Sequence, residues 1–238
     1  MTELAEQLRL FEPLLNELAV VFCAEAGGPM EPFVSPVADA YHRCEAKRSR
    51  IGKACASNPG AVLQHADQIA HAIAHDHCPS GNRQLIEPLV NVLGVRQALE
   101  RMLGYLEAGS AAERLGAAMA WYWAAPSLQY STLDEFHEDR ERRSESGVRR
   151  AGLVFGVATP GRKNAEAHLL MREFGPRFRI GCLRAFLASD DLSDRRYFCH
   201  HFSLVTGNYP VELHSEVEAA RRIAGQHPEL FARSSHGG

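Results

Sequence analysis

Apolar residues return at three- and four-residue steps through almost every segment of this chain, and that period limits what it can fold into more than any other feature. In LAEQLRLFEPLLNELAVVF, Leu4, Leu8, Phe11, Leu14, Leu15 and Leu18 make one stripe, the pattern of a helix with a single buried face. Pro13 falls inside it, where a missing N–H and a ring clash predict a kink or a split. Gly27-Gly28-Pro29, Asn58-Pro59-Gly60 and Pro79-Ser80-Gly81-Asn82 punctuate the chain, and AVLQHADQIAHAIAHDH between the last two is again helical. Alternating β-branched runs are scarce. The best strand candidate, GLVFGVAT at 152–159, carries an internal glycine and fits a short helix as well. The sequence predicts an all-α protein.

A charge of −3 over 238 residues argues against a strongly cationic nucleic-acid binder and leaves room for a local basic face. Six cysteines are scattered with no CxxC pair, and several sit among apolar or small residues. They read as reduced, buried thiols of a cytoplasmic protein. The amphipathic, acidic N-terminal stretch has neither the shape of a signal peptide nor that of a membrane span.

Arg50-Ile51-Gly52, Arg114-Leu115-Gly116, Arg150-Ala151-Gly152 and Arg179-Ile180-Gly181 echo one another, at intervals of roughly 30 to 65 residues that suit units of two antiparallel helices. Glycine inside a helix costs about 1 kcal/mol relative to alanine. Its recurrence therefore predicts close helix contacts that a side chain would obstruct. In ALERMLGYLEAGSAAERLGAAMAWYWAAP, a first helix presents Leu99, Met102, Leu103 and Leu106 on one face. Ser110 is placed to cap the next helix, with Glu113 three residues on to complete a capping box. Trp121 and Trp123 lie about 200° apart on that second helix, so only one of them can face the core.

This stretch resembles a HEAT-type repeat, with looser likenesses at 144–188. The resemblance implies an α-α superhelix, a HEAT-like solenoid forming one elongated domain over 1–238. Residues 1–83 would be divergent N-terminal helices, 84–224 the repeats and 225–238 a tail. It also implies a non-enzymatic module that offers a concave groove to a protein partner. Trp123, Arg142, Arg143, Arg179 and Arg184 are the expected contact residues. The alternative implied by size and architecture is a HEAT-like DNA glycosylase acting on alkylated bases. That would require a cationic concave face and a catalytic carboxylate that no motif fixes here.

Three further clusters invite chemistry. His71 and His75 are i,i+4 on a helix, with Asp67 one turn earlier, a spacing that can hold a metal. Ala72 replaces the glutamate of an H-E-x-x-H motif, and no second ligand pair has a recognisable spacing. The expectation is thus a polar helix face with no metal or other cofactor. In YFCHHF, Cys199 and His200 point about 100° apart on a helix and are poorly placed as nucleophile and base. The mixed-charge run 133–150 reads as a solvated segment with pairs such as Glu138–Arg142.

Overall fold

A computed structural model describes residues 3–23, 35–126, 130, 132–134, 137 and 162–231. Among them are ten α-helices, three short 3-10 turns and no β-strand. The all-α expectation holds, and helices packed against their neighbours are compatible with a helical repeat fold. The chain divides into two compact units, Met1–Ala124 and Ala125–Gly238.

The first unit contains α1 (Glu3–Phe22), α2 (Pro36–Ser57), α3 (Pro59–Gln64), α4 (Ala66–Ala74), α5 (Arg83–Leu93), α6 (Val95–Ala108) and α7 (Ala111–Ala124). α1 runs unbroken through Pro13. Its stripe buries Leu8, Phe11, Leu15 and Leu18, while Leu4 at the helix start stays largely exposed. Burial of each such side chain contributes about 1.5–3 kcal/mol. The segment read as one helix after Gly60 is two, because the chain turns at His65 between α3 and α4. Asn58 supports that start: its Oδ1 accepts the Ala61 N–H at 3.1 Å.

α1 packs on α2 and α4, α2 on α5, and α4 and α5 on α7, which also pairs with α6. Leu99, Met102, Leu103 and Leu106 of α6 are all buried, as their spacing predicts. Two glycines of the repeated triplet mark close approaches. A Cβ on Gly52 would lie 2.5 Å from the Gln84 carbonyl oxygen, and one on Gly116 would lie 2.6 Å from the Ala74 carbonyl carbon and nearer still to its oxygen. Real Cβ atoms do not come this close, so α2 meets the start of α5, and α7 meets the end of α4, only because these positions are glycine.

The turn from His75 to Asn82 is fastened from two sides. Arg48 of α2, itself buried, donates through Nη1 to both carboxylate oxygens of buried Asp76, at 2.9 and 3.1 Å. The Asp76 Oδ1 also accepts the Cys78 N–H. From α7, the Trp123 indole N–H donates to the Pro79 carbonyl at 2.6 Å, and the Arg83 guanidinium lies 5.0 Å from the centre of its ring.

In the second unit, α8 (Arg162–Ala188) packs against α9 (Leu192–Phe198) and α10 (His214–Gln226). Phe174, Cys182, Leu183 and Phe186 of α8 and Val217 and Ala220 of α10 are buried. Asp191 caps α9 by accepting the N–H groups of Ser193 and Asp194. No helix among the described residues is long and apolar enough to cross a membrane.

Candidate metal centre

The tight contact at Gly116 fixes where α7 starts relative to α4. Ala74 lies between His71 and His75 in the sequence, and Glu113 precedes Gly116 by one turn on the same face of α7. The contact therefore brings the Glu113 carboxylate to the two imidazoles. Its Oε1 is 3.5 Å from His71 Nε2 and 3.8 Å from His75 Nε2. One ligand atom from each of the three residues lies within 4.8 Å of the other two, the one such group of histidine, cysteine and carboxylate side chains among the described residues.

Each ligand is held by its surroundings. Glu113 closes the expected capping box: its Oε2 accepts the Ser110 N–H and the Ser110 hydroxyl, both at 2.8 Å, and Ser110 Oγ accepts the Glu113 N–H at 3.3 Å. The carboxylate thus uses one oxygen for the helix cap and turns the other to the histidines. His75 ends α4, and its backbone carbonyl accepts from Gln7 of α1 at 3.1 Å. Its ring meets that of His71 edge to face at 4.9 Å, and Tyr105 of α6 stacks on the His71 ring, 6.1 Å away and 13° from parallel.

The electrostatics suit a metal ligand set, which needs neutral imidazole and ionised carboxylate. Burial, helped by His71 alongside, lowers the His75 pKa below the ordinary imidazole value despite Glu113 nearby. For Glu113, burial opposes the charge. The bonds from Ser110 and the two histidines more than offset it and hold the carboxyl below its usual value. Two neighbours stand apart. His77 Nε2 is engaged with the Ala112 carbonyl at 2.8 Å, and Asp67, its side chain almost fully exposed, pairs with Arg101 at 3.1 Å.

Of the other expected site residues, Trp123 belongs to the first unit and Arg179 and Arg184 to the second. Trp121 is buried and Trp123 half-buried, as their angular separation requires, and the exposed ring beside them is Tyr122. Trp123 is occupied in part by Pro79 and Arg83. Arg184, exposed on α8, makes a two-pronged pair with Glu216 at 3.1 and 3.2 Å, and Arg179 is half-buried on the same helix. Arg142, Arg143 and the Glu138–Arg142 pair lie outside the described residues, as does the 152–159 segment. Cys199 is buried beside exposed His200: its thiol bonds to the Leu230 carbonyl at 2.9 Å, and burial pushes its pKa up to about 11.

Glu113 is the candidate ligand that sequence reasoning did not single out. Its signal was present as the fourth position of a Ser-x-x-Glu cap, but local spacing could not tie that cap to a histidine pair on another helix. No family model, no curated protein and no solved structure matches this chain.

Proposed function

We propose that this protein binds a divalent transition metal, zinc by its ligand chemistry, through His71, His75 and Glu113. The observation that carries this is the convergence of three ligand atoms from two helices within 4.8 Å. A tetrahedral zinc with bonds near 2.0–2.1 Å separates its ligand atoms by about 3.3–3.4 Å. The two Glu113–histidine separations, 3.5 and 3.8 Å, need only small side-chain shifts to reach that spacing. Imidazole and carboxylate suit zinc and its first-row neighbours rather than calcium or magnesium, which take oxygen ligands. The metal would join the end of α4 to the start of α7.

The HEAT-like architecture belongs to the same proposal. The α6–α7 hairpin, with its capped turn and its glycine contact, supports it, and a docking role for the helix surfaces rests on that architecture. The glycosylase alternative is the weaker one. Among the arginines of the second unit, Arg184 is paired with Glu216, Arg195 bonds to the Phe186 carbonyl and Arg196 to that of Glu229, which leaves them less available for a cationic face.

The test is elemental analysis of protein purified without added metal, followed by calorimetric titration of the metal-free protein with zinc. One equivalent should bind to the wild type, with the affinity lost in His75→Ala and Glu113→Gln. Equal zinc uptake by the wild type and both variants would overturn the assignment.

A further inference from the structure

The three ligands leave a tetrahedral or five-coordinate metal short of its complement, and the surroundings show where the next ligand must come from. Glu113 supplies only Oε1, because Oε2 accepts two hydrogen bonds from Ser110. His77 is turned away and bonded to the Ala112 carbonyl. Asp67, one turn before His71, is drawn outward by Arg101. Cys78 sits beyond the end of α4, its sulfur 3.8 Å from the Ser80 hydroxyl. No further histidine, cysteine or carboxylate joins the group among the described residues.

The remaining face is also open to solvent on one side. The side chain of His75 is 13% exposed and that of Glu113 19%, whereas His71 is 43% exposed. Water can therefore approach along His71, flanked by the stacked ring of Tyr105. Charge decides which solutes follow. Two neutral imidazoles and one carboxylate cancel one of the two charges of a divalent ion. The centre keeps a net positive charge that only the incoming ligand can neutralise.

We infer that the metal held by His71, His75 and Glu113 keeps an exchangeable position filled by water and open to small anions of the carboxylate class. This inference rests on the metal-binding proposal above. It separates the centre from structural zinc sites, whose four protein ligands close the coordination sphere, and places it with three-ligand sites that can bind or polarise a substrate oxygen.

The experiment uses the full chain loaded with one equivalent of cobalt(II), whose visible absorption reports coordination number and ligand exchange. Bands of four- or five-coordinate cobalt should appear in the wild type and be absent from His75→Ala. Azide, and then acetate, should shift them saturably, and Asp67→Asn should respond as the wild type does. Bands present but indifferent to both anions would mean a closed site and overturn this inference while leaving metal binding intact. An azide response seen only in Asp67→Asn, and not in the wild type, would place Asp67 in the open position and overturn it too. Absence of the bands from folded wild-type protein, as judged by circular dichroism, would remove both the inference and the metal centre beneath it.

Discussion

Gly116 and Ala74 touch backbone to backbone: a methyl group at position 116 would run into the Ala74 carbonyl. Glu113 stands one turn from the first residue, and the second lies between His71 and His75. One absent side chain therefore sets both the packing of α7 on α4 and the meeting of three candidate ligands.

Replacing Gly116 by alanine should consequently destabilise the protein, although alanine is the better helix former. The obstruction is backbone, which cannot rotate aside, so the expected cost is about 1–3 kcal/mol, with leucine worse. Urea unfolding monitored by circular dichroism checks this, and zinc affinity should fall in parallel. Unchanged melting of Gly116→Leu would sink the close-packing account.

Ser110→Ala separates the cap from the ligand. It removes the hydroxyl that caps α7 and one of the two bonds orienting Glu113. Loss of an N-cap costs about 1 kcal/mol, and loss of a group orienting a metal ligand typically lowers affinity 10- to 100-fold. Ser110→Thr should retain most of both. Calorimetry on the two variants gives the comparison. A Ser110→Ala protein that binds zinc as tightly as the wild type would show that Glu113 is oriented by other means.

His201 gives the second unit a pH dependence. Its ring packs against those of Phe178 and Tyr197, and burial, with a smaller contribution from His200, lowers its pKa to about 4. The unfolded chain takes up that proton near pH 6.5. Its contribution to stability is thus fully present above pH 6.5, declines as the pH falls and is lost through about 4. His201→Phe keeps a ring in place without the proton, so its urea midpoint should vary less than that of the wild type between pH 7 and 4. Parallel profiles would exclude His201 as the source.

The Arg48–Asp76 pair should be costly to break from one side. Arg48→Ala leaves a carboxylate buried without its guanidinium, a change worth about 3–5 kcal/mol. The double variant Arg48→Met, Asp76→Leu should recover much of that loss, since apolar residues of similar volume commonly replace a buried pair. Thermal unfolding of the wild type, Arg48→Met, Asp76→Leu and the double variant completes the cycle. Near-additive losses would argue that the two residues act independently.

What the sequence determined by itself was most of what is set within one helix, though not that α1 runs through Pro13 or that the chain turns at His65. The three-to-four-residue period fixed which faces of α1 and α6 are buried. The i,i+4 spacing put His71 and His75 together, and Ser-x-x-Glu capped α7. These follow from backbone geometry that repeats every turn, so near neighbours in sequence suffice to read them. Even the need for a close contact at Gly52 and Gly116 was legible, because glycine in a helix is unfavourable without one.

Only the tertiary structure decided the partners. That Gly116 meets Ala74, that Glu113 turns its free oxygen to histidines on another helix, and that Trp123 ties down Pro79 depend on which helices pack and at what depth. So does the buried Arg48–Asp76 pair, which no spacing announced. Contacts between helices arise from the fit of many side chains at once, and local periodicity carries no record of which face will meet which. The histidine pair was visible in the sequence. The third candidate ligand came only from packing α7 on α4.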